Sequence, residues 1–151
     1  MKCDENGFSE ESFNKLMIID DEPDSLGIKQ LCKKFIREGY KVDLIKDPDE
    51  VRKLSSEGML EYPVFIIDYN MVNMYGDELV PIIREKNLLA YLIVYTGFPK
   101  VNKYETLKKL NLIGVDFWAE KGDRETEKEL FIRVDYAFRR VENIFSPLYL
   151  E

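Results

Sequence analysis

The 151-residue chain contains no histidine. That absence excludes metal sites built on imidazole, Ser-His-Asp catalysis and phosphocarrier chemistry on a histidine of its own. Cysteine is nearly absent too. Cys3 and Cys32 are too few for a disulfide framework and lack metal-ligand spacing. Cys32 falls in the helical series Ile28, Leu31, Cys32, Phe35 and is expected to pack as a small hydrophobe. No apolar run approaches the roughly 18 residues of a membrane span. The first 15 residues lack a signal peptide's apolar region. A cytoplasmic setting with no membrane partner is expected. Positive charge is short as well: 22 Lys and Arg against 29 Asp and Glu give a net charge of −7. Nucleic acid is therefore not expected as a partner.

What is present is ordinary globular material, 45% hydrophobic and 34% charged, enough for one domain with a substantial core. Residues 1–13 carry no sustained periodicity and read as an N-terminal arm, followed by a domain over 14–145 and a tail over 146–151. Within the domain, short apolar runs alternate with helical spacing. Strands are expected at 16–20, 40–46, 64–68, about 90–96 and 115–120. Helices are expected at 25–38 (ending at Gly39), 48–60, 77–86, 100–111 and roughly 124–145. Such alternation predicts an α/β fold, a doubly wound five-stranded parallel sheet with helices on both faces. In sheets of this kind ligands bind at the carboxyl ends of the strands.

The polar residues lie where that rule puts them. The first run ends in Asp20-Asp21, the third in Asp68 and the fourth in Thr96, and the fifth runs into Lys121. Any one of these alone is an unremarkable strand end. Together they bring three carboxylates, a hydroxyl and an ammonium to one edge of the sheet. Packed carboxylates raise one another's pKa unless a cation joins them. A hard divalent ion with oxygen ligands answers that need, and Mg²⁺ suits it because it binds through few carboxylates while keeping water and phosphate oxygens. A carboxylate flanked by metal, hydroxyl and lysine is suited to phosphoryl chemistry, with the carboxylate as nucleophile.

Four segments, in order, resemble the receiver domain of two-component response regulators: MIIDDEP, VFIIDYNMVNMYGDEL, IVYTG and DFWAEKG. The second is similar to the family's D-x-x-M-P-x-M-x-G loop, and the resemblance covers about residues 14–145. It implies a flavodoxin-like fold in which Asp68 accepts a phosphoryl group as an acyl phosphate. Asp20 and Asp21 would hold Mg²⁺, Asp21 directly and Asp20 partly through water. Asp68 itself and the backbone carbonyl of Asn70 would complete the protein ligands. Lys121 would pair with Asp68 and then with the phosphoryl oxygen, and Thr96 would bond that oxygen after transfer. Trp118 matches the aromatic that follows the threonine, its alternative being a strand aromatic packed on the last helix. Met71 and Met74 match family positions and read as loop packing. Glu22 continues the acidic patch or caps the next helix, and no single role is assigned to it. Two positions depart from the pattern, since Val72 and Gly122 stand where proline is usual. A non-proline cis peptide costs ~2.5–4 kcal/mol, so a trans Lys121-Gly122 bond is expected. Phe98, two beyond the threonine, is a bulky residue expected to slow hydrolysis.

With no histidine here, the phosphoryl group has to come from a sensor histidine kinase or a histidine phosphotransfer protein. The response is expected on the face of the fourth helix, fifth strand and fifth helix, toward a downstream protein. Only SPLYLE follows Phe145, so a stand-alone receiver of the chemotaxis type, not itself an enzyme on other substrates, is expected. The last helix has apolar residues at 130, 134, 137, 141 and 144 and again at 131, 138 and 145. The second set suits either broad burial or a homodimer face. Two other readings remain. In an Asp-nucleophile phosphatase of the haloacid dehalogenase type the nucleophile precedes the metal-binding acids, the reverse of the order here. A pseudo-receiver would share the fold and serve only as a binding module.

Overall fold

A computed structural model describes residues 14–71, 76–97 and 103–149, with side chains through 143. Met74, Val72 and Phe98 fall outside the described residues, as do Cys3 and the side chain of Phe145. Five strands form one parallel sheet: β1 (Lys15–Ile19), β2 (Lys41–Ile45), β3 (Val64–Ile67), β4 (Tyr91–Thr96) and β5 (Phe117–Glu120), in the order β2-β1-β3-β4-β5. The chain reverses its direction of winding between β1 and β3, which makes the carboxyl ends of those strands the switch point.

Strand alternation builds two cores. One set of side chains (Leu16, Ile18, Ile66, Ile93) meets α1 (Leu26–Arg37) and α6 (Arg124–Tyr149) through Ile28, Phe35, Val134 and Phe138. The other set (Met17, Ile19, Phe65, Ile67) meets α2 (Pro48–Arg52), α3 (Ser56–Leu60) and α4 (Gly76–Lys86) through Val51, Met59, Leu79 and Ile83. Farther along that face, Val94 meets Leu110 of α5 (Lys103–Leu112). β3 and β4 are buried throughout and β1 from Leu16 onward, as a sheet covered on both faces requires. Cys32 packs at the margin of the first core, and burial raises its thiol pKa, so it behaves as the expected small hydrophobe. Among the described residues no helix is long and apolar enough to cross a membrane.

Two local expectations are corrected. The helix expected over 48–60 is two short helices. Asp47 caps the first by accepting from Asp49 N–H at 2.9 Å, and Ser55 starts the second by accepting from Gly58 N–H at 3.1 Å. Lys86 donates to the carbonyls of Arg52 and Leu54 at 3.2 and 2.7 Å, satisfying acceptors at the break. The last helix continues to Tyr149, beyond the end inferred from its apolar repeat. Elsewhere Gly39, with φ of 95°, ends α1 where expected.

The flank of the last helix resolves toward burial where its side chains are described. Phe131 packs on Phe35 with ring centroids 4.8 Å apart, and Phe138 stacks on Tyr40 at 4.8 Å. Phe131 thus holds α6 to α1, and Phe138 holds it to the connection between α1 and β2. Among the described side chains, Ile132 and Tyr136 are the large apolar residues that α6 leaves exposed.

Candidate functional site

The acids at the strand ends are held by continuations of the sheet's own hydrogen bonding. Asp20 N–H donates to the Ile45 carbonyl at 3.1 Å, and Asp68 N–H to the Ile19 carbonyl at 2.9 Å. Lys121 N–H donates to the Thr96 carbonyl at 3.0 Å. Each bond extends a strand pair one step past its last residue, so Asp20, Asp68, Thr96 and Lys121 share one rigid edge. A chain reading in sequence order thus converges in space because β1, β3, β4 and β5 are neighbours.

Asp20, Asp68 and Thr96 are buried, while Asp21 and Lys121 are half-buried at the mouth. The Lys121 ammonium lies 2.7 Å from Asp20 Oδ2 and 3.7 Å from Asp68 Oδ2. The Thr96 hydroxyl and the Asn70 backbone N–H also face the Asp68 carboxylate and favour its charged form. Burial raises the Asp68 pKa most strongly and the Asp20 charge adds to it, outweighing the opposing pull of Thr96, Lys121 and Asn70. For Lys121, burial alone pulls the pKa down, but Asp20, Asp68 and Glu22 together carry it above its ordinary value. The site is therefore short of positive charge even with its lysine in place.

Asp20, Asp21 and Asp68 each offer a carboxylate oxygen, all within 4.8 Å of one another. A cluster of hard oxygen donors carrying excess negative charge fits a divalent cation such as Mg²⁺. Asn70 stands beside the cluster as the spacing requires. Its N–H faces Asp68.

Two residues take places other than their simplest sequence reading, while the bond after Lys121 is as expected. Glu22 is not the cap of α1, which is Ser25. Its backbone N–H instead donates to Asp20 Oδ1 at 2.8 Å, orienting that carboxylate. Trp118 does not pack on the last helix. It lies with Val94, Leu107 and Leu110 on the α5 side, where the Lys103 ammonium sits 5.5 Å from its ring centroid. The Lys121-Gly122 bond is trans, and Gly122 turns the chain with a φ of 86°, a left-handed conformation that suits glycine.

Sequence reasoning missed the residues around that turn. Glu120 N–H donates to Thr126 Oγ1 at 3.0 Å, and Thr126 N–H to Asp123 Oδ2 at 3.3 Å. The Tyr95 hydroxyl donates to Glu127, and its ring lies 5.8 Å from the Lys121 ammonium. The available signal was a tyrosine inside an otherwise aliphatic run.

No family model matches the chain, and no curated protein matches its sequence. Its fold does match solved structures. A response-regulator receiver domain protein of Clostridium thermocellum superposes with a TM-score of 0.69 at 21% identity, over 86% of this chain and 98% of that one. The receiver domain of a Francisella response regulator gives 0.61 at 27% identity, over 85% and 98%. A response regulator of Burkholderia pseudomallei, solved with a phosphorylated aspartic acid, a calcium ion and citrate, gives 0.63 at 22% identity, over 78% and 64%. Agreement in the sheet and its helices over nearly the full length of two receiver domains shows that this chain has the flavodoxin-like fold of response-regulator receiver domains.

Proposed function

We propose that the protein works in phosphorelay signalling, with Asp68 accepting a phosphoryl group from a phosphohistidine on a separate kinase or phosphotransfer protein. One observation carries the reading: the Asp68 carboxylate is buried between the Thr96 hydroxyl and the Lys121 ammonium and shares a 4.8 Å cluster with Asp20 and Asp21. An Asp68 oxygen attacks phosphorus, a P–O bond forms, and the P–N bond to the donor imidazole breaks. The electron pair stays on that imidazole nitrogen, which takes up a proton. Asp20, Asp21, Asp68 and the Asn70 carbonyl would hold Mg²⁺, which when bound supplies positive charge to the phosphoryl oxygens. Lys121 offers its ammonium to the same oxygens, and Thr96 a hydroxyl donor.

The response is read on the face of α5, β5 and α6, which corresponds to the expected fourth-helix surface once the split second helix is counted. A groove of about 500 Å³ lies there, lined by Tyr104, Leu107 and Trp118 among others. Thr96 and Trp118 join the acceptor to that groove, since Trp118 pairs with Val94, two residues before Thr96. A downstream protein is the proposed reader. Turnover of foreign phosphoesters is not proposed, because the acids precede the nucleophile in the chain.

The test is incubation with acetyl phosphate and MgCl₂, followed by mass spectrometry. An acid-stable, base-labile modification on Asp68, absent in Asp68→Asn, is the expected result. No modification of the wild-type protein with acetyl phosphate or a phosphorylated histidine donor would leave the pseudo-receiver reading in its place.

A further inference from the structure

Lys121 stands on a turn that has little packing of its own. Gly122 is exposed, and a Cβ placed on it would touch nothing within 4 Å. Three hydrogen bonds hold the turn instead. Lys121 N–H is tied to Thr96, and Glu120 N–H to Thr126 Oγ1, both at 3.0 Å. Asp123 caps α6, with Glu127 N–H donating to its carbonyl at 2.9 Å. These bonds fix the backbone but leave a four-carbon stem free to swing the ammonium away.

Tyr95 lies against that stem's end. Its side chain is almost fully buried between β4 and α6, and its hydroxyl is anchored on the Glu127 carboxylate. Its ring centre is 5.8 Å from Lys121 Nζ, within the range where a ring face attracts a cation. The ammonium thus lies near the Tyr95 ring while it meets Asp20 and Asp68 at 2.7 and 3.7 Å. One residue touches both the lysine and the helix that carries its loop.

We propose that Tyr95, anchored by Glu127, is a positioning residue that holds the Lys121 ammonium over Asp20 and beside Asp68. This rests on the receiver reading above. Loss of the ring frees the ammonium from the carboxylates, which slows phosphoryl transfer and removes a competitor for Mg²⁺.

A double-mutant cycle between Tyr95→Leu and Lys121→Met tests it in the full chain. Two quantities are read: the rate of Asp68 modification by acetyl phosphate, and the Kd for Mg²⁺ by calorimetry. Tyr95→Leu is expected to slow modification about three- to tenfold and to tighten Mg²⁺ binding a few-fold, in keeping with one ring–cation contact. In the Lys121→Met background the same change is expected to alter neither quantity. Tyr95→Phe keeps the ring and loses only the anchor, so it should fall between wild type and Tyr95→Leu. It also keeps the test open where leucine disrupts folding. Equal effects with and without Lys121, or no effect of either Tyr95 variant, would overturn the proposal. An unmodified wild-type Asp68 counts against the receiver reading alone, because the Mg²⁺ cycle still reads the Tyr95–Lys121 coupling.

Discussion

Replacing Lys121 by methionine removes one ammonium from three carboxylates while keeping most of the stem that lies against Tyr95. Asp20, with its side chain 2% exposed, loses a partner at 2.7 Å, and Asp68 loses one at 3.7 Å. Asp20 still accepts the Glu22 N–H at 2.8 Å, so it is not left unpaired. Because the lysine side chain is itself 32% exposed, the loss is nearer one charge-assisted hydrogen bond than a fully buried ion pair. That sets it at about 2–3 kcal/mol. In a domain of this size such a loss lowers the melting temperature by roughly 5–10 °C. Thermal melts in EDTA should show that gap. Melts in MgCl₂ should show a smaller one, because the metal supplies the missing charge and no longer competes with the ammonium for Asp20. Each tenfold tightening of Kd narrows the gap by ~1.4 kcal/mol when both proteins are near saturation. An equal gap in EDTA and in MgCl₂ would show that lysine and metal do not share these carboxylates.

Two further perturbations probe the same edge. A Cβ on Gly76 would lie 3.0 Å from Tyr69 Cα and 3.2 Å from the Asp68 carbonyl, both backbone atoms that cannot swing aside. Gly76→Ala is therefore expected to cost about 1–3 kcal/mol in urea denaturation and to slow modification of Asp68. A gain of stability, as alanine gives in an open helix, would refute the contact. Asp68→Asn addresses the buried charge. Its raised pKa, caused first by burial, means the fold favours the protonated carboxyl. That stability is fully present below the unfolded pKa and is lost as pH rises through the folded one. Metal-free Asp68→Asn should then melt above wild type at neutral pH, with the difference shrinking toward pH ~4, near the unfolded pKa. A difference that grows on acidification would reverse the sign of the argument.

The fold was legible where burial writes itself into spacing. VFII and YLIVYT are buried on both faces and read as continuous apolar runs. The amphipathic repeat likewise fixed the start of α6. Spacing failed where hydrogen bonding decides. Ser55 restarts a helix in the middle of the 48–60 pattern, and the carbonyls freed at the break are met by Lys86, far along the chain. The end of α6 at Tyr149 was missed because an apolar repeat reports where a helix packs rather than where it stops. Trp118 was assigned a possible neighbour in the wrong layer. Alternation along a strand separates its faces without saying which helix covers each.

The site was legible because its residues share one topological position, the step after a strand. Asp20, Asp68, Thr96 and Lys121 could be gathered from sequence once the alternation was seen. Tyr95 could not, since a tyrosine within an apolar strand reads as core, and it is core. Its second role appears only when Glu127 is brought to it from α6 and Lys121 from the turn after β5.

The same geometry indicates which parts of the site can move. Asp20 and Asp68 are tied by backbone bonds of 3.1 and 2.9 Å to strands on either side, so their repulsion is not relieved by drifting apart. Asp20 is further pinned by Glu22 N–H. Lys121 has a fixed backbone and a mobile ammonium, and it is the charge that contacts both acids at once. A cation entering among the carboxylates therefore meets a rigid set of acids and one displaceable positive group. The adjustment it imposes falls on the Lys121 side chain, and through it on the Tyr95 ring and the first turns of α6. That places the first mechanical consequence of filling the site on the β5–α6 side, the side where the response is proposed to be read.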